Sequence, residues 1–421
     1  MQFQDFQLNK QLFFNIDKLG YSTPTEIQEN AIPVLLDGKD ILGIAPTGTG
    51  KTLAFLLPAY EKLSAFPGKG IKTLILCPTR ELALQIHQSA LQLASNTKIK
   101  STVVYGGVNK KSQVQQIKQN PQILIACPGR LLDHISDRKV NLSGVETLIV
   151  DEADRMCDMG FIDDIEKILK YLPKKRQNMF FAATFQKEIR YLADSILNEH
   201  VTVQIGKIKP VKTVSHSIYP VIEKLKKRII IELLETTPTG QVIIFVRTKH
   251  KAAWLAKHLS KNKYKVVSLH GNMTQNRRQQ SIDGFRKGKY DFLVATDVAS
   301  RGIDITGISH VINFDMPNNA DDYIHRIGRT GRAENVGEAI SLFLEDDEYV
   351  LSRIEKTLGN SIVKKQLDGF DYEGFEPLKS KSKQVKPRLS QNRKPNFSNR
   401  NRFKTKRTTN HRFSNRKAKV K

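Results

Sequence analysis

The chain has 421 residues, of which 39% are hydrophobic, and it carries a formal net charge of +26. This length accommodates two ordinary domains with an appendage, and the apolar content excludes a globally disordered chain. The absence of a membrane-length apolar run and of a signal-peptide pattern predicts a soluble, cytoplasmic protein without a membrane partner. Cys77, Cys127 and Cys157 show neither CxxC pairing nor metal-type spacing, which argues against a disulfide or a zinc site.

Short β-branched, apolar runs alternate with longer segments of helical period, a pattern typical of parallel sheets flanked by helices. The predicted strands are residues 40–45, 73–77, 122–127, 147–150, 178–183 and 201–205 in the first half, and 241–246, 265–269, 291–295, 310–314 and 338–343 in the second. A Lys- and Pro-containing stretch at 207–213 separates the two series. We therefore predict an α/β protein with one domain over 1–206, a linker over 207–213 and a second domain over 214–365, and a ligand site in the cleft between them.

The positive charge is concentrated at the C-terminus. Between Lys379 and Lys421 there are 17 Lys and Arg residues and no Asp or Glu, so the other 378 residues carry a net charge of only +9. Because residues 366–421 contain few aliphatic side chains, we expect this segment to be a disordered basic tail. Phe397, Phe403 and Phe413 lie among its Arg and Asn residues, which favours nucleic-acid contact over a purely solubilising role.

A phosphate-binding loop is predicted where the first strand meets a helix, at APTGTGKT (45–52). The backbone N–H groups of such a loop surround phosphates at a helix N-terminus. The predicted nucleotide-binding residues are Thr47, Gly48, Thr49, Gly50, Lys51 and Thr52. Lys51 would reach the β- and γ-phosphates, and the Thr52 hydroxyl would bind Mg²⁺. The usual first glycine is Ala45 here, and a Gly-rich turn before a helix is the alternative interpretation.

An acidic tetrapeptide, Asp151-Glu152-Ala153-Asp154, follows the apolar strand at 147–150. Asp151 is the candidate metal-binding residue, and Glu152 is the candidate base that orients and deprotonates the attacking water. Acids at a helix N-terminus are also favoured by the helix dipole, which is the alternative interpretation of this motif alone.

Near the end of the second domain, HRIGRTGR (325–332) places Arg326, Arg329 and Arg332 at a spacing of three. Arginines delivered across a cleft can stabilise charge on a transferring γ-phosphoryl group. We therefore predict NTP hydrolysis controlled by domain closure.

Residues 1–365 resemble the core of a DEAD-box RNA helicase, with about ten motifs in the family's order and the tetrapeptide at 151–154 as the eponymous box. The resemblance implies two tandem RecA-like domains, ATP and Mg²⁺ as cofactors, and RNA as partner. Gly20-Tyr21 and the segment at 24–28 resemble the adenine-reading Q motif. By this resemblance Phe3 stacks on the base, Tyr21 lines the adenine site and Gln28 reads its edge, while Asp304 reaches the ribose.

The resemblance also identifies RNA-facing residues, most of which contact phosphates without reading bases. In the first domain these are Pro78, Thr79, Arg80, Gly106, Gly107, Pro128, Gly129 and Arg130; in the second they are Arg247, Gln275, Arg278, Thr296 and Arg326. By the same resemblance Arg329 and Arg332 are the catalytic arginine fingers, while His325 and Arg326 help to couple the closed cleft to RNA.

Two motifs depart from the family pattern. The Ser-Ala-Thr motif is Ala182-Ala183-Thr184 here, so efficient unwinding is less well supported than ATPase activity. The usual Thr-Pro-Gly-Arg begins with Cys127, which replaces a phosphate-contacting hydroxyl by a weak S–H donor. The short N-terminus and the basic extension look most like the bacterial RhlE-type branch.

The predicted function is an RNA-stimulated ATPase that opens short RNA duplexes largely independently of sequence. An ATP-gated RNA clamp or annealing chaperone with weak unwinding is the first alternative, and Ala182 keeps it open. A processive DNA translocase is the second, and Gln28 with the acidic box argues against it. Ribosome-assembly or RNA-decay factors are family-compatible partners, and we expect a monomer.

Overall fold

The computed structural model describes residues 1–46, 48–65, 68–185, 187–206, 214–237, 240–300, 305, 308–331 and 337–377. Thr47, the linker at 207–213, Asp304, Arg332 and the tail from 378 lie outside them. Over the described part, no helix has the length and apolarity needed to cross a membrane.

The first half of the chain folds around a parallel seven-stranded sheet. Its strands are β1 (Ile41–Ile44), β2 (Thr73–Leu76), β3 (Ser101–Val104), β4 (Ile123–Ala126), β5 (Thr147–Val150), β6 (Gln177–Ala182) and β7 (Val201–Gln204), in the order β3-β4-β2-β5-β6-β1-β7. The helices on its two faces are α1 (Lys10–Lys18), α2 (Glu26–Leu36), α3 (Lys51–Ala65), α4 (Arg80–Leu93), α5 (Lys110–Ile117), α6 (Pro128–Ser136), α7 (Ala153–Asp158), α8 (Ile162–Leu169) and α9 (Lys187–Ile196).

The second half repeats this architecture. Its strands are β8 (Val214–Pro220), β9 (Val242–Phe245), β10 (Val266–Leu269), β11 (Phe292–Ala295), β12 (His310–Asn313), β13 (Gly337–Phe343) and β14 (Val363–Lys364), in the order β10-β11-β9-β12-β13-β8-β14. The helices are α10 (Lys226–Thr236), α11 (Lys249–Lys261), α12 (Gln275–Arg286), α13 (Asp297–Ser300), α14 (Ala320–Ile327) and α15 (Glu348–Leu358). The predicted pair of α/β domains, each a parallel sheet between helices, is confirmed.

The central strands are buried on both faces. All four residues of β2, β4 and β5 are buried, and so are those of β9 and β11. Continuous Leu, Ile and Val runs of this kind belong in a sheet whose two faces are covered by helices. The loops that leave the carboxyl ends of these strands are the place where such folds bind ligands.

The segment after the second domain packs against it as far as the described residues extend. Phe370 and Tyr372 lie on the core cluster formed by α10 and its neighbours. Glu373 forms 2.7 Å ion pairs with Lys224 and Arg228. Residues 366–377 therefore belong to the second domain, past its predicted end at 365, because their aromatic side chains bury apolar surface against it.

Candidate active site and RNA-facing surface

Three of the predicted motifs meet at one edge of the first sheet. Strands β5, β6 and β1 are neighbours, with Val150 opposite Phe180 and Ile44 opposite Ala182. Since all three strands are parallel, their carboxyl ends lie side by side. The phosphate-binding loop, residues 182–184 and the acidic tetrapeptide therefore converge.

The phosphate-binding loop holds its lysine close to its own backbone. Gly48 and Gly50 have φ values of +86° and +92°, a region open mainly to glycine. Lys51, the first residue of α3, is buried and donates from Nζ to the carbonyl oxygens of Ala45 at 2.6 Å and Pro46 at 3.4 Å. Thr52 follows it and is half-buried. The lysine charge therefore points into the concavity of the loop.

Gln28 ties the predicted adenine-reading segment to this loop. Its Oε1 accepts from Thr25 N–H at 2.9 Å, and its Nε2 donates to Gly50 O at 3.0 Å. The Thr25 hydroxyl donates to Thr49 O at 2.7 Å. A side chain at Gly50 would clash with Gln28, so glycine is required there by close approach as well as by φ. A change in the backbone of the loop would therefore alter the hydrogen bond of Gln28.

The two predicted adenine-site aromatics differ in exposure. Tyr21 has 46% of its surface exposed. Phe3 is 2% exposed and packs edge-on against Phe6 at a centroid distance of 5.8 Å. In this structure Phe3 supports the core beside the site, and its stacking on a base stays a prediction.

The acidic residues are buried and preorganised. Burial raises the pKa of Asp151 to about 7, and the nearby Lys51 charge opposes that effect. Glu152 adopts a left-handed backbone conformation with φ 54°, uncommon for a non-glycine residue and often found at functional sites. Its Oε2 accepts from Arg155 Nη1 at 2.8 Å, and both side chains are buried. Arg155, which the sequence analysis missed, therefore fixes the carboxylate predicted to act as base.

Asp154 connects the acidic tetrapeptide to the neighbouring strand. Its Oδ2 accepts from the backbone N–H groups of Ala183 at 3.0 Å and Thr184 at 2.9 Å, and from Thr184 Oγ1 at 3.3 Å. Ala182 is fully buried in the core cluster below. The Thr184 hydroxyl thus links the acidic tetrapeptide to this strand, although position 182 carries no hydroxyl.

Two of the predicted arginines of the second domain, Arg326 and Arg329, are buried in this structure. Arg326 is 3% exposed and makes a bidentate pair with Asp297 at 2.6 and 2.7 Å. It also donates to Asn313 Oδ1 at 2.9 Å and to Asp315 O at 2.8 Å. These contacts make Arg326 a support for the loop after β11, and its contact with RNA stays a prediction. Arg329 is buried just beyond α14.

The RNA-facing elements predicted in the first domain are neighbours. The Arg80 guanidinium packs over Gly107, where a Cβ would clash with it. Arg130 Nη1 donates to Val108 O at 3.1 Å and to Gln113 Oε1 at 3.0 Å. Thr79 caps α4 through its hydroxyl, which accepts from Leu82 N–H at 3.3 Å. The three short motifs thus form one surface.

The predicted RNA-facing residues of α12 contact that surface. Arg278 pairs with Glu81 at 2.6 Å, and Gln275 Oε1 accepts from Arg80 Nη1 at 3.4 Å. Glu81 was missed in the sequence analysis, although an acid directly after Arg80 was a visible signal. On the same domain Arg247 is exposed and Thr296 is 8% exposed.

The cysteines are free thiols in this structure. Cys77 and Cys127 directly follow the paired residues Leu76 and Ala126 at the ends of β2 and β4, so they lie side by side. Burial is the main cause that raises the pKa of the Cys77 thiol. Both behave as small apolar core residues, and Cys127 takes the place of the family's hydroxyl.

Comparisons with known proteins agree with this geometry. Residues 25–192 match the DEAD/DEAH box helicase model and residues 225–334 match the helicase conserved C-terminal domain. The chain is 42% identical over 361 residues to the DEAD-box ATP-dependent RNA helicase RhpA of Helicobacter pylori, covering 86% of this chain and 73% of that protein.

Solved structures also match this chain. Saccharomyces cerevisiae Dbp5 bound to RNA and ADP BeF3 superposes with a TM-score of 0.79 at 31% identity, covering 87% of this chain and 96% of that one. A point variant of Dbp5 bound to Nup159, a Gle1 variant, IP6 and ADP gives a TM-score of 0.60 at 30% identity with the same coverage. The chain belongs to the DEAD/DEAH box helicase family.

Proposed function

We propose that this protein is an RNA-stimulated ATPase that couples ATP hydrolysis to local opening of short RNA duplexes. The observation that carries the proposal is the convergence of Lys51, Asp151 and Glu152 at one sheet edge, with the RNA-facing motifs continuing across both domains through Glu81 and Arg278. The chain resembles RhpA, which is named an ATP-dependent RNA helicase, and Dbp5, which was solved bound to RNA.

The residues of the site match the chemical groups of ATP. The loop N–H groups and Lys51 bind the phosphates, and Gln28 lies where it can read the base while holding Gly50. Glu152, held by Arg155, orients the attacking water and accepts its proton. Arg329 and Arg332 take part from the second domain by neutralising charge on the transferred group.

Mg²⁺ suits Asp151 and Thr52. Asp151 is a buried carboxylate whose pKa is raised by that burial, so a divalent cation beside it would offset the cost of keeping it ionised. The phosphates of ATP would complete the coordination, since Mg²⁺ is usually held by one or two carboxylates together with substrate phosphates. When bound, Mg²⁺ neutralises phosphate charge.

The RNA is recognised through its backbone, because the RNA-facing residues combine Arg side chains, hydroxyls and glycine N–H groups, which contact phosphates. The proposal includes a monomer in the cytoplasm, acting with ribosome-assembly or RNA-decay factors. Membership of the RhlE-type branch stays a prediction.

An ATP-gated RNA clamp with weak unwinding is the second candidate, and Ala182 is the observation that favours it. Thr184 nonetheless bonds to Asp154, so the link between the acidic box and this strand is present without a hydroxyl at 182.

An ATPase assay with the four NTPs, with RNA, with DNA of equal sequence and without nucleic acid, tests the proposal together with duplex displacement. We expect ATP-specific turnover stimulated by RNA, with strand displacement. RNA-stimulated turnover without displacement would support the clamp, and equal stimulation by DNA would support a translocase.

A further inference from the structure

An exposed face of α11 combines aromatic and basic side chains beside a predicted RNA contact. His250, Trp254, His258 and Lys261 follow one another at spacings of three or four residues, so they share one side of the helix, and Arg247 lies three residues before them. The opposite side carries Ala252, Leu255, Ala256 and Leu259, which are buried in the core. The first face is therefore directed away from the domain interior.

Trp254 is the feature of this face that packing alone does not explain. It is the only tryptophan of the chain, and 45% of its surface is exposed. Its ring lies parallel to that of His258 at a centroid distance of 5.6 Å. This stacking fixes the indole plane, which makes it a rigid platform for another flat ring.

A basic concavity adjoins the tryptophan. It has a volume of about 580 Å³, and its lining includes four lysines and His250 against a single acid, Glu223. Lys226 pairs with Asp315 at 3.0 Å, and Lys251 pairs with both Asp315 and Glu223 at 2.8 Å. Lys224 pairs with Glu373 at 2.7 Å, so acids offset the charge of three of the four lysines. Lys227 is exposed. A volume of this size is in the range of small-ligand sites, and the exposed Lys227 ammonium can bind an anion.

We infer that Trp254 and this concavity form an accessory site for single-stranded RNA, in which a base stacks on the indole and a phosphate lies beside Lys227. The inference rests on the proposed function, because the same RNA strand would be bound at Arg247, a predicted RNA contact of the helicase. Arg247 directly precedes Thr248, the N-cap of α11, and Trp254 lies in the first two turns of that helix, so one strand can make both contacts.

Charge complementarity and continuity favour this occupant. An acidic peptide would also neutralise Lys227, but it carries no base to stack on Trp254.

The intrinsic fluorescence of Trp254 in the full-length protein provides the test. Oligouridylates of increasing length are titrated, and quenching is expected once the strand is long enough to reach beyond Arg247. Lys227→Glu should weaken this titration by about fivefold or more and reduce its salt slope by about 0.7. Lys356→Glu, a charge reversal on α15, should leave both unchanged.

Anisotropy of labelled RNA gives a second readout. Trp254→Ala should lose about fivefold in affinity for long strands and none for the shortest, since stacking on an aromatic contributes about 1 kcal/mol or more per base. Trp254→Phe should restore most of the loss. ATPase turnover at saturating RNA should be unchanged in all variants.

Unchanged fluorescence at RNA concentrations that saturate the ATPase would overturn the inference. A response to polyglutamate but not to RNA would assign the surface to a protein ligand instead. Failure of the proposed function is distinct, because the wild type would then show no RNA-stimulated ATPase.

Discussion

Glu81 and Arg278, which are 197 residues apart in the chain, form an ion pair that joins the two α/β domains. Glu81 Oε1 lies 2.6 Å from Arg278 Nη2 and accepts a 2.8 Å hydrogen bond from Nε. Both side chains are less than a tenth exposed. Arg278 also donates to Ala299 O at 3.0 Å. A residue predicted to bind RNA is therefore also part of the contact between domains.

We expect Glu81→Gln to weaken domain closure without unfolding either domain. Removing one partner of a buried pair costs about 3–5 kcal/mol, because the other charge is left uncompensated. This cost applies only to the arrangement in which the domains touch. The RNA concentration for half-maximal ATPase should therefore rise by about tenfold or more, with little change in melting temperature.

A double-mutant cycle with Arg278→Gln isolates the pair. If the two single changes act through this contact, the double variant should resemble either one. Additive losses would show that Glu81 and Arg278 act independently. Glu166→Gln, an acid on α8, serves as the matched control.

Glu152→Gln should retain Mg·ATP and RNA binding but hydrolyse at least about 100-fold more slowly, because loss of a general base costs about 10²–10⁴ in rate. The amide keeps the shape of the side chain and an acceptor for Arg155. Single-turnover hydrolysis and nucleotide affinity are the measurements. Near-normal turnover would remove Glu152 from its role.

Lys51→Ala is the companion variant, and it should instead weaken nucleotide binding itself. The lysine charge is already directed into the loop through Ala45 and Pro46. Unchanged nucleotide affinity with slow hydrolysis would assign Lys51 to the chemical step.

Sequence pattern was sufficient for the continuous apolar strands but not for strands that contain polar residues. Strands β5 and β9 are continuous apolar runs, whose burial on both faces makes the pattern unambiguous. Strand β3 (Ser101–Val104) begins with Ser and Thr, and β8 (Val214–Pro220) contains Ser and His and ends in Pro, so neither was predicted. Their pairing is set by tertiary contacts.

The candidate site was likewise predicted only in part from the sequence. Motifs that are contiguous in the chain were recognised, because one loop or strand end carries all their chemistry. The buried position of Arg326 and the pairing of Glu81 with Arg278 were not predicted, since they depend on how distant elements pack.

Deletion of Lys379–Lys421 should leave the maximal ATPase rate at saturating RNA almost unchanged, because no residue assigned to the nucleotide site lies there. Affinity for single strands should fall and depend less on salt, as log K changes by about −0.7 per log[salt] for each phosphate neutralised. Binding measured across a salt series checks this. An unchanged slope would mean that the tail does not contact RNA.

Thr184 and Ala182 provide the test of coupling between hydrolysis and strand separation. Thr184 Oγ1 bonds to Asp154 at 3.3 Å, whereas Ala182 is fully buried among apolar side chains. Thr184→Val keeps the shape and removes a hydrogen bond worth about 1 kcal/mol. We expect it to lower strand displacement per ATP hydrolysed more than it lowers the ATPase rate.

Ala182→Ser is the matched variant. A serine hydroxyl there would be placed in the core, while Asp154 already has three donors from Ala183 and Thr184. The ratio of displacement to hydrolysis should therefore stay the same, against the increase that the motif's departure from Ser-Ala-Thr suggests. Both rates are measured on one short duplex. A higher ratio in the serine variant would show that position 182 limits coupling, and that the Thr184 hydroxyl does not replace it.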